Sequence, residues 1–428
     1  MDKQEAEGPA ADRSATFREV LLVAEYRSLF AAAVLSWIGD YFAKVAVAVL
    51  IFNDTGSALL SAAGFAVSYL PWVVGGPVLA ALAERFPYRR VMIICDLARA
   101  ALVALVAVPW VPLPVLLLLL AVSSVLTPPF EAARSAMVAQ LLTGDRYVLG
   151  LSLQNMAGQA AQVAGYALGG VIAAVDPRGA LLVNAATFAA SGLLLWRGVR
   201  PRPAAMIREQ GRSLLKETGD GLRLVFGHPI MRPIALVVFS LVAIVIVPEA
   251  LAAAWAAEQG GDSRIAGLLM AAIPIGNAIG AILTRVTGPE RRLKLIKPLL
   301  LATPLLLVPA LVRPPLVVVF FLMVGAGVAN TVIVPLNALF VSVLPGDFRA
   351  RAFGIMQGGI QMTLAIAVLT AGALAETLSV PVVVGTWAVC GLALAGVAIK
   401  AWPRGDAISA EIARVAELNR KASAASAC

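Results

Sequence analysis

The chain has 428 residues, of which 60% are hydrophobic and only 14% are charged, and its mean hydropathy is +0.88. These values exclude an ordinary soluble domain and predict a protein that crosses a membrane several times. The formal net charge of +9 does not indicate nucleic-acid binding, because that function clusters basic and aromatic residues on one solvated face.

Apolar stretches follow a polar segment at 1–28, and each is long enough to cross a bilayer as a helix. The pattern predicts an all-α membrane protein with 12 transmembrane helices in two six-helix repeats. The first six spans lie at 29–52, 59–83, 91–110, 114–142, 150–175 and 180–196. The second six lie at 233–255, 265–287, 293–312, 315–344, 350–374 and 381–402.

The spans divide the chain into an N-terminal segment, a first bundle, a connector, a second bundle and a tail. These segments are 1–28, 29–196, 197–232, 233–402 and 403–428. The connector segment Ser213–Phe226 has helical periodicity and is predicted to lie on the membrane surface, with a solvated linker as the alternative. The tail is predicted to be helical over Ala407–Lys421 and disordered over Ala422–Cys428.

The two bundles share a weak internal symmetry. A shift of 203 residues places Gly64 on Gly267 and Pro71 on Pro274. Two repeats in the same orientation, with a site between them, are typical of many secondary transporters.

Basic residues are distributed unequally between the two ends of the spans. Of the 34 Lys and Arg residues, 29 fall on the side of the chain termini. Arg178, Arg264 and Arg313 fall on the other side, and Lys44 and Arg99 lie inside spans. The positive-inside rule therefore predicts cytoplasmic termini and connector in a bacterial inner membrane, with the basic loops near anionic lipid.

A charged loop lies between spans two and three. Gly76–Arg90 resembles the loop signature of the major facilitator superfamily, Gly-x-x-x-Asp-Arg-x-Gly-Arg-Arg. Ala80, Glu84 and Pro87 depart from that signature. The resemblance covers essentially Leu29–Trp402 and implies a transporter that works by alternating access.

Shorter motifs resemble the drug:proton antiporter branch of that superfamily, which contains macrolide and enterobactin exporters. They are Ser36–Asp40, Asp96–Arg99 and Pro128–Arg134. Gly165–Gly170 is similar to the antiporter motif Gly-Pro-x-x-Gly-Gly, although Tyr166 stands where proline is expected. The branch implies proton-coupled efflux of an amphipathic small molecule. The alternatives are a lysophospholipid or nutrient importer of the same superfamily and a non-transporting membrane sensor.

Charges inside a bilayer are costly, so each needs a partner, a cavity or a function. The first bundle carries three acid–base pairs whose spacing puts both members on one helix face: Asp40/Lys44, Asp96/Arg99 and Glu131/Arg134. The proton-coupling candidates are Asp40, Lys44, Glu131 and Glu249. Asp40 lies near mid-bilayer and is the first choice, with a static ion pair to Lys44 as the alternative.

The superfamily resemblance implies a cytoplasmic gate near the charged loop. The gate and charge cluster comprises Glu84, Arg85, Arg89, Arg90, Asp96, Arg99 and Arg134. Such a cluster holds one access state and breaks in the other. For the loop residues alone, the alternative role is retention of topology.

Polar and aromatic side chains inside the spans are candidates for lining a substrate cavity, with interhelical hydrogen bonding and packing as the alternatives. They are Trp37, Tyr41, Gln154, Asn155, Gln159, Asn277, Asn330, Asn337, Gln357 and Gln361. The Gly-x-x-x-Gly pairs that begin at Gly165, Gly276 and Gly354 are predicted to be packing devices.

No catalytic, metal or cofactor site is predicted. The chain has no phosphate-binding Gly-x-x-x-x-Gly-Lys loop, and its single His228 is predicted to be a surface loop residue. The sequence thus predicts a protein that is not an enzyme. Its expected partners are a small-molecule substrate, protons and membrane lipid, without nucleic acid, and the expected oligomeric state is a monomer.

Overall fold

The computed structural model describes residues 16–69, 71, 85–203, 219, 222–223, 225–344, 349–403 and 405–427. Within these ranges every regular element is a helix. Within them, nine helical spans are long and apolar enough to cross a membrane, and three of these spans each combine two consecutive helices. The all-α membrane fold predicted above is therefore confirmed. Glu84, and most of the predicted Ser213–Phe226 helix, lie outside the described residues.

The first half of the chain forms eight described helices. They are α1 (Phe17–Leu22), α2 (Ala24–Thr55), α3 (Ala58–Ala66), α4 (Tyr88–Val106), α5 (Leu113–Val125), α6 (Thr127–Leu141), α7 (Gly144–Ala173) and α8 (Pro177–Gly198). The predicted second, third and fifth spans correspond to α3, α4 and α7. None of these three is among the nine apolar spans. Helix α4 carries four charged residues, and α3 has only nine described residues.

The second half forms nine further helices and one short 3₁₀ helix at Val308–Val312. They are α9 (Met231–Ala250), α10 (Ala252–Glu258), α11 (Ser263–Val286), α12 (Pro289–Leu305), α13 (Leu316–Asn330), α14 (Ile333–Ser342), α15 (Arg349–Leu374), α16 (Val380–Lys400) and α17 (Gly405–Ala427). All of the predicted spans in this half contain helix.

Four predicted spans contain a break in the helix, and proline explains two of these breaks, the one between α5 and α6 and the one between α13 and α14. Between α5 and α6, Pro128 lies at the start of the new helix and cannot donate a hydrogen bond to the preceding turn. Pro335 lies in the first turn of α14, just after the chain leaves α13. At both sites a tight turn replaces the regular helical hydrogen bonds, as in Leu126 N–H to the Ser123 carbonyl.

Contacts between chain segments define the two ends of the helical assembly. At one end Arg202 binds Glu25, and His228 contacts Glu411. We call this the terminal side, because it carries α1 and the tail helix α17. At the other end, the opposite side, the Ser57 hydroxyl donates to Glu376.

The buried core is shared between the two halves on the opposite side only. One cluster there joins residues of α2 and α3, such as Val49 and Phe65, to residues of the second half, such as Trp255 and Val384. On the terminal side, one described cluster contains only first-half residues and another only second-half residues. For the described residues, the seam between the halves is therefore closed on the opposite side.

The tail differs from its prediction. Helix α17 continues to Ala427, beyond the segment expected to be helical. The reason is its alanine-rich composition, because alanine has the highest helix propensity. Ile408 and Ile412 pack against the core of the second half.

His228 lies in a loop, as predicted, but it is half-buried rather than fully exposed. Its Nδ1 accepts hydrogen bonds from the backbone N–H groups of Ile230 and Met231, at 3.2 and 3.3 Å. Its Nε2 lies 3.3 Å from the carboxylate of Glu411. His228 therefore caps the start of α9 and ties it to the tail helix.

Candidate functional site

A cavity of about 390 Å³ lies within the helical assembly. Most of its lining comes from the first half, including Trp37, Tyr41 and Phe188, and Gln361 of α15 contributes from the second half. Three of the predicted cavity residues, Trp37, Tyr41 and Gln361, line this space. The walls combine aromatic rings, aliphatic side chains and charged groups.

The proton-coupling candidate Asp40 lines the cavity but is not paired with Lys44. Its carboxylate lies 2.5 Å from the guanidinium of Arg99 on α4. Asp40 retains 33% of its side-chain exposure, whereas Arg99 retains only 4%. The predicted pairing within α2 gives way to a pairing between helices because guanidinium matches carboxylate geometry better than ammonium does.

The second predicted pair is present but loose. Asp96 lies 3.9 Å from Arg99, while Ser191 of α8 donates a 2.5 Å hydrogen bond to the same carboxylate. Arg99 also contacts Ser36 at 3.4 Å, and its guanidinium lies 4.0 Å from the centre of the Phe188 ring. Arg99 therefore connects α4 to both α2 and α8.

The third predicted pair forms within α6. The Arg134 guanidinium binds the Glu131 carboxylate and also donates to Gln154 of α7. The indole N–H of Trp37 lies 3.3 Å from the other Glu131 oxygen, and Arg134 stacks 4.9 Å from the Trp37 ring. Gln154 is buried and belongs to this network, which ties α2, α6 and α7 together.

Lys44 lies in an aromatic environment. Its ammonium nitrogen is 5.2 Å from the centres of the Tyr41 and Phe65 rings and 5.3 Å from that of Tyr69. It also lines the cavity. Among the described residues, the ion pairs within 4.0 Å do not include Lys44. The aromatic cage thus replaces the partner predicted for it.

Glu249 lies at the seam between the halves. The hydroxyl of Tyr166 on α7 donates a 2.5 Å hydrogen bond to the Glu249 carboxylate on α9. Tyr166 is fully buried, and Glu249 is only 6% exposed. Lys44 attracts the same carboxylate from beyond ion-pair distance. Tyr166, which the sequence marked only as a departure from a motif, therefore joins the two halves.

The predicted gate residues divide into two groups. Arg85 and Arg90 are exposed at the terminal side. Arg89 donates a hydrogen bond to the backbone carbonyl of Trp196 at the end of α8. Asp96, Arg99 and Arg134 lie deeper, in the networks described above. The hydrogen bonds and ion pairs of Arg89, Arg99 and Arg134 to other described residues stay within the first half.

The remaining predicted amides do not gather in the cavity. Asn277 accepts a 3.2 Å hydrogen bond from Asn330, which ties α11 to α13. The other four are exposed: Asn155, Gln159, Asn337 and Gln357. Helix α8, which was not among the predicted sites, supplies Asn184 and Phe188 to the cavity and Ser191 to Asp96. The available signal was the polar pair Asn184 and Ser191, seven residues apart on one helix face.

Glu376 forms a second contact across the seam. Its carboxylate accepts hydrogen bonds from the backbone N–H of Leu59, at 2.9 Å, and from the Ser57 hydroxyl, at 2.8 Å. It thereby caps the first turn of α3 from the other half of the chain. The hydrogen bond from Leu59, followed by that from Ser57, lowers the pKa of Glu376 below its usual value.

Close helix approaches seal the same side. A Cβ atom on Gly267 of α11 would lie 2.6 Å from the backbone of Gly170 and of Tyr166 on α7. Gly165 and Gly169 likewise approach the backbone of α2. Gly354 does not show the predicted packing contact, because a Cβ atom there would meet no described atom within 4 Å.

The described residues contain no group of three or more His, Cys, Asp or Glu side chains that could hold a metal ion.

Comparison with known proteins identifies related chains. Residues 29–345 match the family model described as Major Facilitator Superfamily. The uncharacterized MFS-type transporter YfiS of Bacillus subtilis (strain 168) is 25% identical over 385 residues, covering 86% of this chain and 90% of the relative. YvqJ, an uncharacterized MFS-type transporter of the same organism, is 23% identical over 272 residues, covering 61% of this chain and 64% of the relative.

Solved structures have the same fold. The nucleoside transporter NupG has a TM-score of 0.68 at 13% identity, covering 88% of this chain and 98% of its own. The inward-open xylose transporter XylE from E. coli has a TM-score of 0.62 at 14% identity, and the match covers 91% of this chain and 97% of XylE.

Proposed function

Because this chain belongs to the major facilitator superfamily, we propose that it is a proton-coupled secondary transporter that exports an amphipathic small molecule by alternating access. The observation that carries the proposal is the unequal packing of the two halves. They share a core on the opposite side and have separate described cores on the terminal side. Such packing fits a state open toward the termini, which rocking of the halves would exchange for a state open the other way.

The cavity supports an amphipathic substrate. Trp37 and Phe188 offer flat apolar surfaces, while Gln361 and Asn184 offer amide groups for hydrogen bonds. The resemblance of Ser36–Asp40 to the drug:proton antiporter branch supports export rather than import.

Proton coupling is assigned to carboxylates whose contact with water differs between access states. Asp40 faces the cavity and is bound by Arg99, so protonation would weaken that ion pair. Glu249 lies in the seam and would meet water only when the opposite side opens. Glu131 is held by Arg134 and Trp37 and ranks below these two.

A terminal-side gate is part of the proposal. Arg85, Arg89 and Arg90, together with Glu84, would meet the second half when that side closes. The deeper charges Asp96, Arg99 and Arg134 would hold the first half rigid as it moves.

The topology and assembly of the protein are also proposed. The basic residues on the terminal side support cytoplasmic termini, a cytoplasmic connector at 197–232 and a location in the bacterial inner membrane. The halves 29–196 and 233–402 are proposed as the two moving bundles of a monomer.

The test is uptake into inverted inner-membrane vesicles. A panel of labelled amphipathic compounds is offered while the vesicle interior is acidified, with vesicles that lack the protein as the control. At least one compound should accumulate, and a protonophore should abolish its accumulation. Release of preloaded compound driven by the same gradient would instead identify an importer, and the absence of any gradient-dependent flux would contradict proton coupling.

A further inference from the structure

The amino group of Lys44 has no counter-ion within 4.0 Å among the described residues. Its three neighbouring rings, those of Tyr41, Phe65 and Tyr69, come from α2, α3 and the turn after α3. Rings stabilise an ammonium through their negative faces but do not neutralise it. The cation therefore remains available to a ligand in the cavity that it lines.

The nearby acids are already engaged. Asp40 lies one turn before Lys44 on α2, but its carboxylate is bound by Arg99. Glu131 is bound by Arg134, so neither cavity acid presents an unbalanced negative charge. Glu249 attracts Lys44 from beyond ion-pair distance while it accepts a hydrogen bond from Tyr166.

A charge inside a membrane protein is costly to keep, and estimates start at about 2.5 kcal/mol for lysine at a helix centre. Such residues therefore mark substrate or ion pathways more often than they serve packing. Here the cage holds the ammonium at the cavity wall, within reach of a molecule that lies along Trp37 and Phe188.

We infer that Lys44 binds the anionic group of the substrate, and that the substrate is an organic anion with an aromatic or apolar body. The inference rests on the proposed function only in taking this cavity as the substrate site. Tyr41, Phe65 and Tyr69 position the ammonium, while Trp37 and Phe188 contact the body of the ligand.

The experiment compares three ligands of the same shape and different charge. Purified full-length protein in detergent is dialysed to equilibrium at neutral pH against 1-naphthoate, 1-naphthylmethylammonium or 1-naphthalenemethanol. Wild-type protein is expected to bind the naphthoate about tenfold more tightly than the ammonium compound, since one charge-assisted contact is of that order. Equal binding of all three ligands, preference for the cation, or no binding of naphthoate would overturn the inference.

Variants identify the residue responsible. Lys44→Met should weaken naphthoate binding about tenfold and leave the neutral alcohol within about twofold. Lys44→Arg should keep the preference for the anion. Lys400→Met is the matched control, because Lys400 is exposed at the end of α16. Wild-type affinity for naphthoate in a folded Lys44→Met protein would overturn the inference. If that variant does not fold, the inference is tested by the relative affinities of the wild-type protein for the three ligands.

This binding test is independent of the transport assay. A preference for naphthoate without proton-driven flux would retain the anion site and reject the proposed exporter. Proton-driven flux without a charge preference would retain the exporter and reject the role of Lys44.

Discussion

The hydroxyl of Tyr166 donates a 2.5 Å hydrogen bond to the carboxylate of Glu249, and these residues belong to opposite halves of the chain. Both side chains are buried, so water does not compete for the bond. A hydrogen bond to a charged group contributes about 1.5–3 kcal/mol. The bond therefore favours the state in which the opposite side is closed.

Removal of that bond should shift the conformational equilibrium. Tyr166→Phe is expected to raise the ratio of the open to the closed population on the opposite side by about tenfold or more, because 1.4 kcal/mol corresponds to a factor of ten. Spin labels at Val175 and Leu378, which are exposed on that side in different halves, report the change as longer distances. Tyr147→Phe is the control, since Tyr147 packs within the terminal-side core of the first half. An unchanged distance distribution in Tyr166→Phe would mean that the bond does not hold the seam.

Asp40→Asn should uncouple substrate movement from protons. The amide imitates a protonated carboxyl group in shape and removes the charge that binds Arg99. Accumulation driven by a proton gradient is expected to fall by about tenfold or more in inverted vesicles, while exchange of substrate down its own gradient continues. Asp54→Asn, an exposed change at the end of the same helix, should retain wild-type accumulation. Normal proton-driven accumulation in Asp40→Asn would assign Asp40 a structural role and leave Glu249 as the coupling residue.

Gly267→Ala should force the opposite side apart. Its Cβ would meet the backbone of Gly170 and of Tyr166 at 2.6 Å, and neither backbone can move without displacing α7. Distances between labels at Val175 and Leu378 are expected to increase, and the transport rate should fall. Gly354→Ala serves as the control because its Cβ would meet no described atom within 4 Å. If the distances between the labels in Gly267→Ala stay as short as in the wild-type protein, the helices accommodate the methyl group by a small local shift.

The contact of Glu376 with α3 should depend on pH only under acid conditions. Hydrogen bonds from Leu59 and Ser57 lower the pKa of Glu376, so the carboxylate is favoured in the closed state. Its stabilising effect is complete above the ordinary carboxyl pKa of about 4.3 and is lost as pH falls through the lowered value. Labels at Asn53 and Leu378 should therefore report no change from pH 8 to about 5 and an increased separation at lower pH.

Two variants check this assignment. Glu376→Gln should keep an acceptor oxygen but remove the titrating charge. The increase in label separation at low pH should therefore disappear in this variant. Asp145→Asn, an exposed change at the start of α7 on the terminal side, should behave like wild-type protein. An acid-dependent separation that persists in Glu376→Gln would assign the titration to another group.

Sequence periodicity predicted the helices well, because apolar stretches of membrane-spanning length have few alternative structures. It also predicted the contact between Glu131 and Arg134, since residues three apart on a helix are neighbours by geometry. For Asp40, reasoning from local spacing predicted the wrong partner. Lys44 was the local candidate, yet the partner is Arg99, 59 residues away on another helix.

Contacts between the halves could not be predicted from spacing. Tyr166 and Glu249 are 83 residues apart, and Ser57 and Glu376 are 319 apart. Their pairing depends on how the bundles meet, and periodicity contains no information about that arrangement. The cage around Lys44 is of the same kind, because Tyr69 reaches the ammonium only through the packing of α3 on α2.

The core shared on the opposite side is completed only after the second half of the chain has been synthesised. Until then, the surface that carries Val49, Ala62 and Phe65 lacks its partner residues from the second half. Lipid tails are as apolar as these side chains, so the bilayer can cover them during biogenesis at little cost. Replacement of lipid by Trp255 and its neighbours then drives assembly through close packing rather than through exclusion of water. The membrane thus acts as a temporary scaffold for the newly inserted first half.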